Sequence, residues 1–471
     1  MNSIQRIALV AIVGISFGGA NSIAQTATAP GDVNLLLQRI EELEQKVKVL
    51  DRKNELGEEA AVEKAKTATS VSIGAGGFVV RSADTNFVLK IRGYAQVDGR
   101  FYPNDNSTTA TRNDTLLIRR LRPIFEGTVY DKFDYRIMLD FPSGSPTTAG
   151  NNGLVQDAYV NYRPIPEFQI QAGKFKEPVG LERLQSGANL LFVERGFPTQ
   201  LAPNRDVGVQ VQGDLLGGGL RYEAGVFNGV ANGGSGDNEQ GDDEKDIAAR
   251  LFATPFVKSD NAWLRGLGFG VAGTIGNQQG ALRSVVTPGQ QTFFSYLSGA
   301  GTTAAPNVAA NGQVWRVVPQ AYYYKGPFGV FAEYVVTSQE VTRTAGATLN
   351  SATLRNTAWQ VAASWFVTGE DNAYKAVTPL KPFNLGLTGW GALEVTARLG
   401  GLDLDNDTFP LFASATTSAS KATSWGAGVS WHLNRNVKLS LNYEQTDFTG
   451  DANSFLNNGE QVVLTRAQFS F

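Results

Sequence analysis

From Phe87 to Arg100 the chain alternates: Phe87, Leu89, Ile91, Ala95 and Val97 fall on one side, Lys90, Arg92, Tyr94, Gln96, Asp98 and Arg100 on the other. A period of two sustained over this length predicts a β-strand with one apolar and one charged face. The next segment sets Leu117, Leu121, Phe125 and Val129 against Arg120, Arg122, Glu126 and Thr128. Its neighbour sets Phe133, Tyr135, Ile137, Leu139 and Phe141 against Lys132, Asp134, Arg136 and Asp140, and Tyr130-Asp131 between them predicts a tight hairpin. The signature returns at Ile247, Ala249 and Leu251 opposite Arg250. It returns again at Trp359, Val361, Ala363 and Trp365 opposite Gln360 and Ser364, and at Leu393, Val395, Ala397 and Leu399 opposite Glu394, Thr396 and Arg398. Short turns alternate with longer Gly, Asn and Ser-rich stretches such as 142–153 and 228–245, the asymmetry of a transmembrane barrel. At roughly 20 to 25 residues for each strand with its share of loop, the expectation is an all-β antiparallel barrel of about 16 strands.

Alternation alone would also suit a sandwich of two sheets, and the last strand decides between them. Gln461 to Phe471 places Val463, Ala467, Phe469 and Phe471 on one face and Leu464, Arg466, Gln468 and Ser470 on the other. This ending resembles the last strand of bacterial outer-membrane proteins, whose terminal Phe is read by the barrel assembly machinery. The resemblance implies that Phe471 is an assembly signal. Trp365-Phe366, Trp431 and Tyr443 sit near strand ends, where amphipathic rings would form interfacial girdles.

A different period precedes the strands. Val33, Leu36, Ile40, Leu43, Val47 and Leu50 recur at alternating spacings of three and four, with β-branched residues at a, leucines at d, and Asn54 at the next a position. That seam predicts a short self-associating coiled coil. Residues 57–77, rich in Ala, Lys, Thr and Ser, read as a linker. Before the helix, a single Arg6 leads an apolar run from Ile7 to about Phe17, too short to span a bilayer, followed by Ser22-Ile23-Ala24. The expected organisation is therefore an export signal over 1–24, a mature chain beginning near Gln25, a coiled-coil segment and linker over 25–76, and a barrel over 77–471.

Composition narrows the chemistry. The 471 residues include 52 Gly and no Cys, so there is no disulfide framework and no thiolate metal site. A formal net charge of −3 provides no basic field for nucleic acid. The sole His, His432, lies beside Trp431 and Asn434 with no serine nucleophile motif, so it reads as structural and no catalytic, cofactor or metal site is expected. Asp403 and Asp405 read as loop acids.

One stretch interrupts the alternation. Gly173 to Asp206, GKFKEPVGLERLQSGANLLFVERGFPTQLAPNRD, carries Lys174, Lys176, Arg183, Arg195 and Arg205 against Glu177, Glu182, Glu194 and Asp206. A long loop inside a closely punctuated chain of strands is usually functional, and it is expected to fold into the lumen as a constriction. Its cations either line the ion path or pair with Glu177, Glu182 and Glu194 to hold the loop to the wall.

GKFKEPVGLERL from Gly173, Glu194-Arg195 and Pro203-Asn204-Arg205-Asp206-Val207-Gly208 resemble the phosphate-selective porin O and P family. So do Trp365-Phe366-Val367-Thr368-Gly369-Glu370 with Tyr374, Gly391 to Leu404, Trp431 to Tyr443, and the terminal LTRAQFSF. The likeness runs from about Phe87 to Phe471. It implies a homotrimer of sixteen-stranded barrels whose third extracellular loop folds inward and whose lumen arginines and lysines pass anions such as phosphate or polyphosphate. Lipid and lipopolysaccharide would surround it.

Strand parity, independently of that resemblance, puts Lys90, Arg92, Arg100, Arg120, Arg122, Lys132, Arg136, Arg163, Arg250, Arg316, Arg398, Lys438 and Arg466 on the lumen face. It opposes them with Asp98, Glu126, Asp134, Asp140, Asp157, Asp246, Glu333, Glu394 and Glu444. Basic residues outnumber acidic ones there although the whole chain is acidic. Of the basic set, Arg92, Arg100, Arg120, Arg122, Arg136, Arg250, Arg398, Lys438 and Arg466 are the expected anion path. The alternatives are a general diffusion porin whose coiled coil tethers the envelope, and an outer-membrane enzyme.

Overall fold

The computed structural model describes residues 30–104, 113–141, 155–236, 243–386, 388–450 and 459–471. The expected export segment, the mature start near Gln25 and the whole of the 142–153 loop lie outside them. The described chain forms two compact units, divided between Ala68 and Thr69.

The first unit is one helix, α1 (Pro30–Thr67), 38 residues long. It contains the heptad segment, and Val33, Leu36, Ile40, Leu43, Val47 and Leu50 are all exposed. It does not stop at Gly57, where the linker was expected to begin. Glu58 to Lys66 is dominated by Ala, Glu and Lys, whose helix propensity outweighs one interior glycine.

In the second unit eighteen strands join in one antiparallel sheet. Sixteen close into a barrel: β3 (Phe87–Phe101), β4 (Thr115–Val129), β5 (Phe133–Leu139), β6 (Val155–Ile165), β7 (Phe168–Lys176), β8 (Arg205–Leu215), β9 (Leu220–Phe227), β10 (Asp246–Ala253), β11 (Leu267–Ala281), β14 (Asn307–Lys325), β15 (Phe328–Ala345), β16 (Thr348–Phe366), β17 (Ala392–Asp403), β18 (Lys421–His432), β19 (Val437–Thr449) and β20 (Glu460–Ser470). β20 closes the ring on β3, from Val463↔Phe101 to Ser470↔Tyr94. Beyond that register, Phe471 and Gly93 exchange both backbone hydrogen bonds at 3.0 Å. A hairpin of β1 (Ser70–Gly74) and β2 (Gly77–Arg81) takes the rest of the same β3 edge, pairing Phe78↔Ile91 to Arg81↔Val88. The sequence reading placed these residues largely in a linker.

The wall reverses the usual burial. Outward Leu251, Val361 and Leu399 are 54%, 42% and 56% exposed, whereas inward Gln360, Glu444 and Arg398 are 1 to 2% exposed. Apolar side chains left bare around a closed ring, with charges sealed inside it, fit a hydrocarbon surround rather than a second sheet. Tyr130 and Asp131 make the expected tight hairpin, with φ of 50° and 58°. Trp365 points outward with the girdle, while its neighbour Phe366 points in and is buried.

Loop lengths depart from the expected asymmetry at both ends of the barrel, and the 13-residue connection 254–266 between β10 and β11 already exceeds a short turn. β15 and β16 run far enough to meet in a two-residue turn at the long-loop end. At the short-turn end, residues 367–391 form a long connection between β16 and β17.

Candidate functional site: the charged lumen and its inward loop

The constriction loop is residues 177–204, shorter than the expected stretch at both ends. Lys174 and Lys176 belong to β7 and Arg205 opens β8, paired Lys176↔Arg205 in the ladder. Their charged positions hid the strand period, which is why the sequence reading assigned them to a loop. The loop carries two single-turn helices, α2 (Leu181–Leu184) and α3 (Pro198–Leu201).

Wall side chains from many strands hold the loop across the lumen. On one side, Glu333 of β15 accepts from the Leu181 and Glu182 amides at 2.6 and 3.3 Å. Gln360 of β16 bonds both Glu182 and Glu333, at 2.9 and 2.7 Å. On the other, Asn442 of β19 accepts from the Val193 amide at 2.7 Å, and Gln96 of β3 donates to the Gly187 carbonyl at 2.9 Å. Lys438 donates to the carbonyls of Ala188 and Leu190, both at 3.3 Å. At Gly196 an added Cβ would lie 2.1 Å from Gln360 Oε1, so a larger residue there would displace the Gln360 amide.

The loop's own cations act mainly as scaffold. Lys176 donates to the carbonyls of Arg183, Leu184 and Gln185 at 2.7, 3.2 and 2.7 Å, covering the C-terminal end of α2. Arg183 is buried and donates to the Thr199 and Ala202 carbonyls. Arg195 donates to the carbonyls of Glu182 and Gln185. The cations Lys176, Arg183 and Arg195 therefore engage carbonyls rather than pairing with Glu177, Glu182 and Glu194 as one of the two sequence readings has it, while Glu182 and Glu194 themselves bond wall side chains. Lys174 is buried at the loop's root.

The loop carboxylates make the electrostatic centre. Glu194 sits among four arginines: Arg119 Nε at 2.5 Å, Arg100 at 3.6 Å, Arg120 at 3.8 Å and Arg466 at 3.8 Å. Asp98 binds Arg466 through two 2.7 Å hydrogen bonds, so four positive groups face two negative ones. Burial opposes the charge on Glu194, but Arg119, Arg120 and Arg466 outweigh it and hold its carboxyl well below the usual carboxylate range. Arg119 and Arg100 keep 28% and 17% of their side chains exposed, whereas Glu194 keeps 3%.

Strand parity finds Arg100, Arg120 and Arg466 but misses Arg119. The ladder jumps from Gln96↔Arg120 to Val97↔Ile118, leaving Arg119 as the extra residue of a β-bulge that turns inward beside Arg120. The bulge also inverts the strand beyond it, so Leu117, expected outside, pairs with inward Asp98. Nothing in a period-two pattern announces such a shift.

The other lumen cations are distributed in cross-strand pairs. Arg92 meets Glu126 at 2.7 Å, Arg122 meets Asp140 at 2.6 Å, and Arg136 bridges Glu126 and Asp157 at 3.1 and 2.9 Å. Arg205 shares Asp157 at 2.7 Å, Arg250 meets Glu223 at 2.9 Å, and Arg398 meets Glu444 at 2.6 Å. Arg163 meets Asp134 at 2.9 Å, and fully buried Arg316 meets Asp246 at 3.3 Å. Lys132 lies exposed in the β4–β5 turn rather than on the lumen face, because the hairpin turn has already begun there. Near Arg316, both oxygens of Glu177 are buried without a hydrogen-bond partner. Burial, then Asp246 and Asp206, push that carboxyl well above its usual range against the pull of Arg316.

A second inward segment was not read from the sequence. Residues 282–306, with the small ladder of β12 (Val285–Val286) and β13 (Thr292–Phe294), fold back so that Phe293 and Phe294 are buried with Phe197 and Leu201 of the loop. Tyr102 donates to the Gly289 carbonyl at 2.7 Å and Thr287 to Glu460 at 3.0 Å. At the opposite, short-turn end the lumen opens into a vestibule of about 580 Å³ lined by Lys90, Arg92, Lys375, Arg435, Lys438 and Glu394 among others. His432 lies at its edge, with Nε2 3.0 Å from Glu394. Asp405 accepts from the Arg355 and Asp407 amides, and Asp403 pairs with Lys421 at 2.9 Å. Among the described residues no group of His, Asp and Glu is arranged to hold a metal ion.

Comparisons with known proteins meet this geometry. A curated relative, Porin O of Pseudomonas aeruginosa, is 22% identical over 427 residues, covering 84% of this chain and 91% of the relative. The crystal structure of the outer membrane channel DcaP of Acinetobacter baumannii superposes with a TM-score of 0.51 at 14% identity, over 84% of this chain and all of that one, which supports the fold. The family model described as phosphate-selective porin O and P matches residues 89–471, all sixteen barrel strands but the first two residues of β3. With a closed barrel, an inward loop and a charged lumen already in view, the chain belongs to the phosphate-selective porin O and P family.

Proposed function

We propose that this outer-membrane porin conducts small anions through a hydrated lumen, with oxyanions of the phosphate class among its permeants. The observation that carries the reading is the cluster of Arg100, Arg119, Arg120 and Arg466 at the constriction, which stays net positive after Glu194 and Asp98 are counted. Guanidinium forks match the oxygen pairs of phosphate and carboxylate, and low-dielectric walls let fixed charge act on a passing ion with little screening. Arg92, Arg122, Arg136, Arg250, Arg398 and Lys438 are assigned a secondary part, since acids or carbonyls already engage them and several moderate sites in series permit exit as well as entry. Lys174, Lys176, Arg183, Arg195 and Arg205 are assigned to holding the constriction rather than to contact with ions.

The same reading includes export by residues 1–24, assembly guided by Phe471, a homotrimer in lipid and lipopolysaccharide, and self-association of α1 through its exposed Val33 to Leu50 seam. The test is the zero-current potential of purified protein in planar bilayers across a potassium chloride gradient, repeated with phosphate replacing chloride. Anion selectivity with phosphate permeation is expected. A cation-selective or non-conducting protein rejects the reading.

A further inference from the structure

The connection between β16 and β17 is longer than that between β10 and β11 at the same short-turn end, and part of it lies outside the wall. Phe383 stacks edge-on against Trp431 at 5.2 Å, and the Trp431 indole N–H donates to the Trp390 carbonyl at 2.7 Å. Trp431 belongs to the outward set of β18 with Trp425, Ala427 and Val429. The Phe383 amide donates to the Leu433 carbonyl at 2.7 Å, and the Gly391 amide to the Lys381 carbonyl at 2.9 Å. The segment is thus tied to the β18–β19 turn and to an outward indole, and it overhangs the end of the apolar band.

Three of its apolar side chains are left largely bare. Leu380, Leu385 and Trp390 are 71%, 85% and 75% exposed, more than the outward aromatics of the adjacent strand ends, such as Trp365 at 51% and Phe469 at 53%. Exposed side chains this large, grouped on one short segment, mark an interaction surface. The segment from Thr378 to Trp390 contains one charged residue, Lys381, and no acid. That composition, an indole and aliphatics with a flanking lysine, is the one that settles at a lipid headgroup boundary. The surface is continuous with the lipid-facing wall through Trp431 and Phe383.

We propose that Leu380, Leu385 and Trp390 form a membrane-anchoring foot, inserted into the acyl–headgroup boundary of the leaflet at the short-turn end. Lys381 reaches the lipid phosphates. The foot depends on the barrel spanning a bilayer but not on what the lumen conducts.

The chain contains no cysteine, so single spin labels can be placed without background. Leu385→Cys and Leu380→Cys would be labelled in full-length protein in vesicles of phosphatidylethanolamine and phosphatidylglycerol. Val361→Cys on the wall and Asp260→Cys in an exposed turn serve as lipid and water references. Collision rates with oxygen and with a water-soluble nickel chelate are then measured at each label. The expected result is an oxygen-to-chelate ratio at 380 and 385 that shifts from the Asp260 value toward the Val361 value. Chelate access equal to that at Asp260 places the foot in water and overturns the proposal. Dipolar broadening that disappears on dilution with unlabelled protein places it against a second copy and also overturns it. If Val361 itself reads as water, the membrane-spanning barrel has failed, not the foot.

Discussion

Replacing Glu194 with Gln removes one negative charge from the arginine cluster while keeping an oxygen that Arg119 can reach. The cluster's four arginines would then face Asp98 alone. For an anion passing about 8 Å away, one unit charge is worth about 0.5 kcal/mol at a dielectric constant of about 80 and about 2 kcal/mol at about 20. Those limits correspond to roughly twofold to thirtyfold tighter occupancy of the constriction. The preference for anions should rise, while single-channel current in phosphate should saturate at lower concentration, because an ion bound more deeply leaves more slowly. Planar-bilayer recordings would give both the zero-current potential and the concentration of half-saturation. Glu194→Asp, which keeps the charge, should behave like the parent, and heat-modifiable mobility would confirm that each variant folds. Because the Glu194 carboxyl is held below its usual range, it stays ionised as pH falls through its unfolded value of about 4.3. The difference between parent and Glu194→Gln should therefore persist at pH 5. An unchanged zero-current potential and unchanged saturation would refute the view that this cluster governs permeation.

Three further outcomes follow from other parts of the barrel. Phe471→Asp should sharply lower the yield of heat-modifiable protein without blocking export, since the charge falls where the terminal residue pairs with Gly93; unchanged yield would remove the assembly role. Glu177→Gln should stabilise the protein by on the order of 1 kcal/mol in urea unfolding above neutral pH and do little near pH 4. The folded carboxyl is raised, so its ionisation costs stability only as pH climbs above the unfolded value, and equal shifts at both pH values would contradict this. Arg122→Glu sets a second carboxylate against Asp140, 2.6 Å from the present guanidinium, and should cost about 3 to 5 kcal/mol as well as anion preference; a variant with parental stability would show that the pair is solvated.

Much of the barrel was legible because a wall with lipid on one side and charge on the other must alternate. Ile247 to Leu251 and Leu393 to Leu399 read correctly residue by residue, and so did the hairpin at Tyr130-Asp131. The failures lie where a local irregularity overrides the period. The bulge at Arg119 changes parity in the middle of β4, and Lys174 and Lys176 disguise the end of β7 because charged residues may occupy an inward strand face as readily as a loop. The 282–306 segment was missed for a different reason. Its Val285, Phe293 and Phe294 have neither strand nor helix period, and only the tertiary fold reveals that they pack on Phe197. The cluster around Glu194 joins residues 74 to 368 positions apart in pairs, which no local spacing encodes.

The edge of β3 is shared between the two extremes of the barrel sequence: β2 covers Val88 to Ile91, and β20 covers Tyr94 to Phe101. Until the barrel closes, the upper half of that edge therefore waits for the last strand, its hydrogen-bonding groups unmatched. An unpaired edge is a template for any passing strand. The hairpin of β1 and β2 shields the lower half early, so the vulnerable window shrinks to eight residues whose proper partner is the last to arrive. Closure of this barrel has a defined address: the backbone between Tyr94 and Phe101 stays open until the terminal strand docks.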